Sequence, residues 1–305
     1  GPRDILVRVA ASALNRADLL QCRGLYPAPA GSPKDIPGLE YAGEVVATGG
    51  EVTRWSLGDR VMGVVGGGAA AELVAVHEDE AVPTPKELSL TDAAAIPEAF
   101  MTAFDAAILQ GGLAPGGWVA VNAVASGVGT ALVQIARRLG ARTVGSSRTP
   151  AKLDAVRSLG LDVPVVGASA ELGAAANEAT ENRGVDLVVD LVGGEALPSL
   201  VHALGPRGTL MLVGLLGGPR ADLPLARVLM RRLRVQGTVL RSRDHEEKQM
   251  LARAFEAQLL PGFQGEQPTL QPVVDRVLPW ALVAEGHRAL AANATSGKVV
   301  LDHHS

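Results

Sequence analysis

The sequence predicts an α/β chain in which a doubly wound parallel sheet is joined to a smaller β-rich domain. Three observations carry this. From about residue 118, strand-like apolar segments recur roughly every 20 to 25 residues with helical segments between them. Before residue 90 the rhythm is different, with short alternating segments separated by glycine turns. Between these regions one apolar run enters a turn of small residues and leaves as a helix, the order that opens a parallel α/β sheet.

Taken in order, 5–9 alternates as a strand, 10–18 reads as a polar-studded turn containing Asn15, Arg16 and Asp18, and 24–38 is a Pro- and Gly-rich loop holding Tyr26. Strands are expected over 40–46, 59–65 and 72–76. A helical stretch over 93–110 is interrupted near Pro97. Six strands then follow, at Val119, Thr143, Val163, 186–190, 209–213 and 235–240, with stops at Gly140, Gly160 and Gly205. Ligands in such a sheet lie beyond the C-terminal strand ends, which points to Gly193-Gly194, Gly214 to Leu216, and Leu240-Arg241 as crevice lining. A charged helix runs from Asp244 to about Leu260, and short elements at 273–278, 280–292 and 298–301 close the chain. These are expected to return to the β-rich domain, giving one domain of 1–95 and 247–305 around a second of 96–246.

Composition narrows the function. With 47% apolar and 20% charged residues among 305, the chain has the makings of a globular protein with two cores. Only 3% aromatic residues and a net charge of −4 argue against stacking on bases or binding a phosphate backbone, so nucleic acid is not an expected partner. A single cysteine, Cys22, excludes an internal disulfide and a multi-cysteine metal site, and is read as inert packing. No apolar run reaches the roughly 18 residues that cross a bilayer, so a cytoplasmic location and no membrane partner are expected.

The glycine turn carries the chemistry. Trp118 to Val121 is a strand covered on both faces, and Leu132, Ile135, Ala136 and Leu139 repeat at helical spacing beyond the turn. Small residues let the backbone approach a pyrophosphate, and helix N-terminal amides point at its charge. The fingerprint is imperfect, reading Ala123-x-x-Ser126-Gly127-Val128-Gly129, and alone it also fits a plain tight turn. After the next strand a binder of NAD would place a carboxylate on the ribose. Here Ser146, Ser147, Arg148 and Thr149 stand there, with Lys152 one helical turn on, a set suited to a 2′-phosphate and hence to NADPH. Read only as solvated charges, Arg148 and Lys152 would oppose the helix dipole.

Ala10 to Asp18, Gly38-Leu39-Glu40, Ala94 to Glu98, Ser126 to Ala131, Leu240 to Asp244 and Gly297 to Leu301 together resemble the zeta-crystallin-like quinone oxidoreductases of the medium-chain dehydrogenase/reductase superfamily, nearest to the tumour-suppressor-induced branch. The resemblance spans nearly the whole chain. It implies a GroES-like catalytic domain, a Rossmann domain, NADPH as hydride donor, a homodimer joined along the edge strand 235–240, and relatives that begin earlier with an additional hairpin. It also implies cofactor contacts from Thr102, Ser126, Gly127, Val128, Ser147, Arg148, Lys152, Gly214, Leu216, Leu240, Arg241 and Thr295. Zinc-dependent members hold their metal through a Gly-His-Glu motif. This chain has Leu39 in the His position, and no metal is expected.

Without a Lewis acid, a simple ketone is a poor acceptor, whereas a quinone delocalises the incoming charge into a phenolate-like oxygen. The resemblance places Tyr26 and Ser126 at the quinone and nicotinamide, with Asn15 nearby. Tyr26 is expected to donate to the acceptor carbonyl and Ser126 to seat the nicotinamide. Packing of Tyr26 beside prolines, a purely steric Ser126 and an Asn15 bonded within its own turn are the plainer alternatives. Tyr41 is read as strand packing. The related branch has a tyrosine after the third Rossmann strand where this chain has Gly167. Reduction of enones or enals, and a non-catalytic NADPH-binding role, are the competing functions.

Overall fold

The computed structural model describes residues 1–304. Its strands are β1 (Asp4–Leu14), β2 (Glu40–Thr48), β3 (Arg60–Val64), β4 (Leu73–His77), β5 (Ala81–Pro83), β6 (Trp118–Val121), β7 (Arg142–Ser147), β8 (Val163–Val166), β9 (Val185–Asp190), β10 (Leu204–Leu212), β11 (Arg234–Gly237), β12 (Val274–Pro279) and β13 (Lys298–Asp302). The α-helices are α1 (Arg16–Cys22), α2 (Leu90–Ala93), α3 (Pro97–Phe104), α4 (Gly127–Leu139), α5 (Pro150–Leu159), α6 (Ser169–Ala179), α7 (Leu197–Ala203), α8 (Leu225–Arg231), α9 (His245–Gln258) and α10 (Val283–Ala291). The chain forms two compact units: Gly1–Met101 together with Leu240 onward, and Thr102–Val239.

The first unit is organised by β1. Its sheet runs β12-β13-β1-β2-β3-β5, and β4 also pairs with β1. Ile5, Val7 and Val9 alternate inward and pack on Val45, Val61, Val74 and Val76. The segment 10–14, expected to turn, instead continues the strand. Ala10 to Leu14 are buried, and such small and apolar residues pair well on two sides. Ser12 lies opposite Tyr41 of β2 and Leu301 of β13, so the end of the chain is stitched to its beginning. The turn signal in Asn15 takes effect one residue after the strand ends.

The second unit is a six-stranded parallel sheet in the order β11-β10-β9-β6-β7-β8, with helices as crossovers. Its core includes Ala120, Val144, Val188 and Leu210 from the sheet, and Leu172 and Leu200 from α6 and α7. Chain order reverses between β6 and β9, and the crevice of such a sheet opens there, beyond the C-terminal strand ends. The last strand is shorter than the expected 235–240, ending at Gly237 once the Thr238 amide has bonded to the Leu212 carbonyl.

The junctions lie at 101/102 and 239/240, where composition suggested 95/96 and 246/247. Side chains explain the difference. Phe100 stacks edge-on to Phe263 at 4.8 Å, and Arg241 bonds to the Gly66 carbonyl, so both stretches belong to the first unit. Phe100 is 2% exposed, and Phe100→Ala is expected to cost about 3 to 5 kcal/mol in urea unfolding. A loss under about 1 kcal/mol would mean that the aromatic cluster does not hold this unit together.

Candidate active site

In the second unit, the loop from β6 to α4 lies tight against β7. The Val124 amide bonds to the Ser146 carbonyl at 3.0 Å, and a Cβ at Gly145 would come within 2.6 Å of Val124. A Cβ at Gly129 would meet the Val124 carbonyl oxygen at 2.4 Å, so only glycine permits this entry into α4. Ala123 takes a left-handed φ of 47°. Ser126 is the N-cap of α4, its Oγ accepting the Gly129 amide at 3.2 Å. The first amides of a helix have no partner one turn back, so those of Gly127 and Val128 are offered to a ligand.

A second support lies between β6 and β9. Asn122 Nδ2 donates to Asp190 Oδ1 at 2.5 Å, and Asn122 Oδ1 accepts the Leu191 amide at 2.7 Å. The same Asp190 oxygen accepts the amides of Val192 and Gly193, each at 2.9 Å. Asp190 therefore fixes the turn that carries Gly193 and Gly194, both at positive φ. The loop after β10 packs on this turn, its Gly217 amide bonded to the Val192 carbonyl at 2.7 Å. A Cβ at Gly214 would meet the Leu191 carbonyl oxygen at 2.4 Å. Leu216, in the same loop, is 52% exposed.

Beyond β7 the backbone is equally ordered. Ser147 Oγ accepts the Thr149 amide at 3.2 Å, and the Ser147 carbonyl accepts the Gly167 amide at 3.0 Å. Arg148 is exposed, and Lys152 lies in the first turn of α5. Thr102, at the other end of this unit's sequence, is buried with its Oγ1 unpartnered.

The first unit holds a buried polar cluster. The Lys298 ammonium has three protons and three acceptors: Glu40 Oε1 at 2.5 Å, Asn15 Oδ1 at 2.6 Å and the Leu14 carbonyl at 3.1 Å. Its side chain is 6% exposed and that of Glu40 is 0% exposed. Asn15 Nδ2 donates to Glu40 Oε1 at 2.9 Å, and the Glu98 amide donates to Glu40 Oε2 at 2.8 Å. Asn15 thus bridges the ion pair instead of merely bonding its own turn. Asp18 accepts the Asn15 amide at 2.7 Å and the Gly38 amide at 3.0 Å, yet burial still raises its carboxyl above the usual range.

Tyr26 is held by Arg241, whose guanidinium carbon lies 4.9 Å from the ring centroid. Arg241 Nη1 donates to the Tyr26 carbonyl at 3.0 Å, Nε to the Gly66 carbonyl at 2.7 Å, and Nη2 to Gln21. The residue is 2% exposed, so its guanidinium is committed to the Tyr26 loop. Burial, then the nearby Glu98 carboxyl, raises the Tyr26 phenol, while Arg241 lowers it. The net direction is upward, so Tyr26 is protonated and able to donate at neutral pH. Leu240 is buried beside Arg241, and Thr295 precedes β13. Tyr41 is fully buried strand packing, whereas Cys22 is exposed at the end of α1 and fills no core.

Glu40, Glu98 and Asp190 were not singled out from sequence as site residues. Their side-chain partners are 25 to 258 positions away, and the only local signal was the polar character of Asn15, Asp18 and Glu40.

The Leu39 side chain, at the position a metal-binding histidine would occupy, is buried and apolar. Among the described residues no group of three or more His, Cys, Asp or Glu could hold a metal ion. The donor set does not fit zinc. A dinucleotide does fit the turn before α4, where glycine contacts leave no room for a Cβ and the first helix amides have no partner one turn back.

Comparison with known proteins agrees with the geometry. The alcohol dehydrogenase GroES-like domain matches residues 1–86, and the zinc-binding dehydrogenase family matches 127–256. A quinone oxidoreductase-like protein 2 homolog of Nematostella vectensis is 28% identical over 304 residues, covering 99% of this chain and 82% of the relative. The chain belongs to the medium-chain dehydrogenase/reductase superfamily and is similar to its quinone-oxidoreductase-like members. This oxidoreductase is also similar to two solved structures. An NAD-dependent alcohol dehydrogenase superposes with a TM-score of 0.83 at 29% identity, over 99% of this chain and 92% of that one. The CurK enoyl reductase superposes with a TM-score of 0.85 at 26% identity, over 98% and 91%.

The family implies a nicotinamide cofactor, which supplies the hydride when bound. Gly129→Val is expected to weaken nicotinamide dinucleotide binding at least about tenfold, or about 1.4 kcal/mol, in a calorimetric titration. Unchanged affinity in the folded variant would remove the turn before α4 from the binding site.

Proposed function

We propose that this oxidoreductase reduces quinones with NADPH and without a metal ion. The observation that carries the reading is Tyr26, whose phenol stays protonated while Arg241 holds its ring and backbone: it offers a hydrogen-bond donor to an acceptor oxygen, whereas the polar groups around Glu40 and Lys298 are paired with one another. Such a donor favours an acceptor that spreads incoming charge by itself. Tyr26 donates to the acceptor oxygen, and Arg241 positions it through the ring and backbone contacts. Ser126 keeps the turn before α4 open for the nicotinamide nucleotide, its hydroxyl serving as the helix cap. Gly127, Val128 and Gly214 bring backbone to the cofactor. Within the second unit, Thr102 and Leu216 add to its surroundings in this reading.

Selectivity for the 2′-phosphate rests on Ser147, Arg148 and Lys152, because no carboxylate follows β7 to hold a ribose hydroxyl. Replacing Arg148 and Lys152 with alanine is expected to cost about 1.5 to 3 kcal/mol per lost charge-assisted bond for NADPH and little for NADH. Equal losses with both cofactors contradict the assignment. The likeness to an enoyl reductase favours a second reading, reduction of activated double bonds. A parallel screen of quinones and enals, followed by NADPH absorbance, separates the two. Tight NADPH binding without turnover of either class would indicate a non-catalytic protein.

The small-molecule site accompanies a homodimer in this reading. The edge strand β11 is exposed along its length, and Leu225, Leu229 and Met230 of α8 are 70%, 76% and 79% exposed. An open edge beside apolar side chains is a pairing surface. Leu229→Glu with Val235→Glu is expected to yield monomers in sedimentation, whereas persistence of a dimer would place the interface elsewhere.

A further inference from the structure

Three consecutive glycines, Gly66 to Gly68, have no task in the reading above, yet they lie directly against the loop that bears Tyr26. A Cβ at Gly66 would run into Ser32 Oγ and come within 2.8 Å of Pro29 Cγ, and one at Gly68 would lie 3.0 Å from Pro33 Cγ. Gly68 also takes a left-handed φ of 91°, and its amide bonds to the Ile36 carbonyl at 2.9 Å. The loop over 24–38 therefore rests on bare backbone. Pro27, Pro29, Pro33 and Pro37 restrict it further, since each fixes its own φ.

Gln21, near the end of α1, ties the two arms of this loop together. Its Oε1 accepts Arg241 Nη2, and its Nε2 donates to the Lys34 carbonyl at 3.2 Å. Arg241 in turn donates to the Gly66 carbonyl at 2.7 Å and the Tyr26 carbonyl at 3.0 Å, and its guanidinium lies against the Tyr26 ring. Of these three acceptors only Gln21 is a side chain. A guanidinium is a rigid, planar fork, so the place of Gln21 Oε1 sets the angle at which Arg241 meets the ring. An amide suits that position: its oxygen accepts from a cation while its nitrogen donates to a carbonyl, a pair of tasks that neither a carboxylate nor a hydrocarbon side chain performs together.

We propose that Gln21 is a positioning residue for the reduction: by holding Arg241 and the Lys34 carbonyl at once, it fixes the Tyr26 loop on the glycine run and sets the direction in which the Tyr26 hydroxyl donates. This rests on the reading of Tyr26 as donor to the acceptor oxygen and assigns what aims it. Hydrogen bonds weaken steeply once their angle closes below about 120°. A displacement of about 1 Å at a reacting group can cost about 100-fold in rate, so a small swing of the loop is felt at the acceptor.

The chain has two tyrosines, and Tyr41 is fully buried, so fluorotyrosine labelling gives a reporting resonance from Tyr26 and a reference from Tyr41. In Gln21→Leu the Tyr26 fluorine resonance is expected to narrow and move toward that of free fluorotyrosine, while the Tyr41 resonance stays in place and shows that the variant is folded. The same variant should lower kcat for 1,4-benzoquinone about tenfold and leave the dissociation constant for NADPH unchanged. Gln21→Glu keeps an acceptor for Arg241 and should bring the resonance back, with kcat within about threefold of wild type. Should the leucine variant not fold, Gln21→Asn, whose amide is one methylene short of Arg241, takes its place with the same expectation. A Tyr26 resonance or a kcat that stays at the wild-type value in the leucine variant, or a glutamate variant as impaired as the leucine one, overturns the inference. A wild-type protein that binds NADPH but reduces no quinone overturns the functional reading instead, and the two resonances then decide by themselves whether Gln21 holds Tyr26.

Discussion

The contact between Lys298 and Glu40 organises the polar interior of the first unit. Two charges with almost no exposure are matched atom for atom, the ammonium by three oxygens and the carboxylate by Lys298, Asn15 and the Glu98 amide. Separating such partners from water is expensive, and the arrangement survives because all three ammonium protons and both carboxylate oxygens have partners. Its ends lie on β2 and β13, so it joins the beginning of the chain to its last strand and fixes Asn15 between them. The Glu98 amide brings the start of α3 to the same point. Burial, and then the carboxylate held here, raise the Glu98 carboxyl beside it well above the usual range.

The second unit uses a different device for a related purpose. Its loops contain glycine where backbone lies against backbone, at Gly129 and Gly214, and a single carboxylate, Asp190, sets the turn between β9 and the following helix. No bulky side chain is needed to build these turns, and the first amides of α4 have no partner one turn back. In both units polar groups are ordered by partners before any ligand arrives, as preorganised sites require.

Much of the architecture was legible in the sequence. The six parallel strands follow from apolar runs with glycine stops, because burial on both faces leaves an unmistakable pattern. The tight turn before α4 was legible for the same reason: close backbone contact demands small residues in a fixed order. Segment 10–14 was misread, since its small side chains look like a turn when the partners β2 and β13, far away in sequence, are unseen. The cluster around Glu40 escaped for that reason too. Lys298 and Glu40 are each ordinary surface residue types, and only the fold makes them neighbours. Cys22 was expected inside on the general preference of its type, yet it ends a short helix whose buried side is supplied by Asp18.

A double-mutant cycle of Glu40→Gln and Lys298→Met, read by urea unfolding, tests most directly whether this ion pair organises the site. Each single change strands a buried partner and should cost about 3 to 5 kcal/mol, while the double variant should cost far less than their sum. Additive losses would show that the two charges act independently, and that some other contact holds Asn15, Glu98 and the ends of the chain in place.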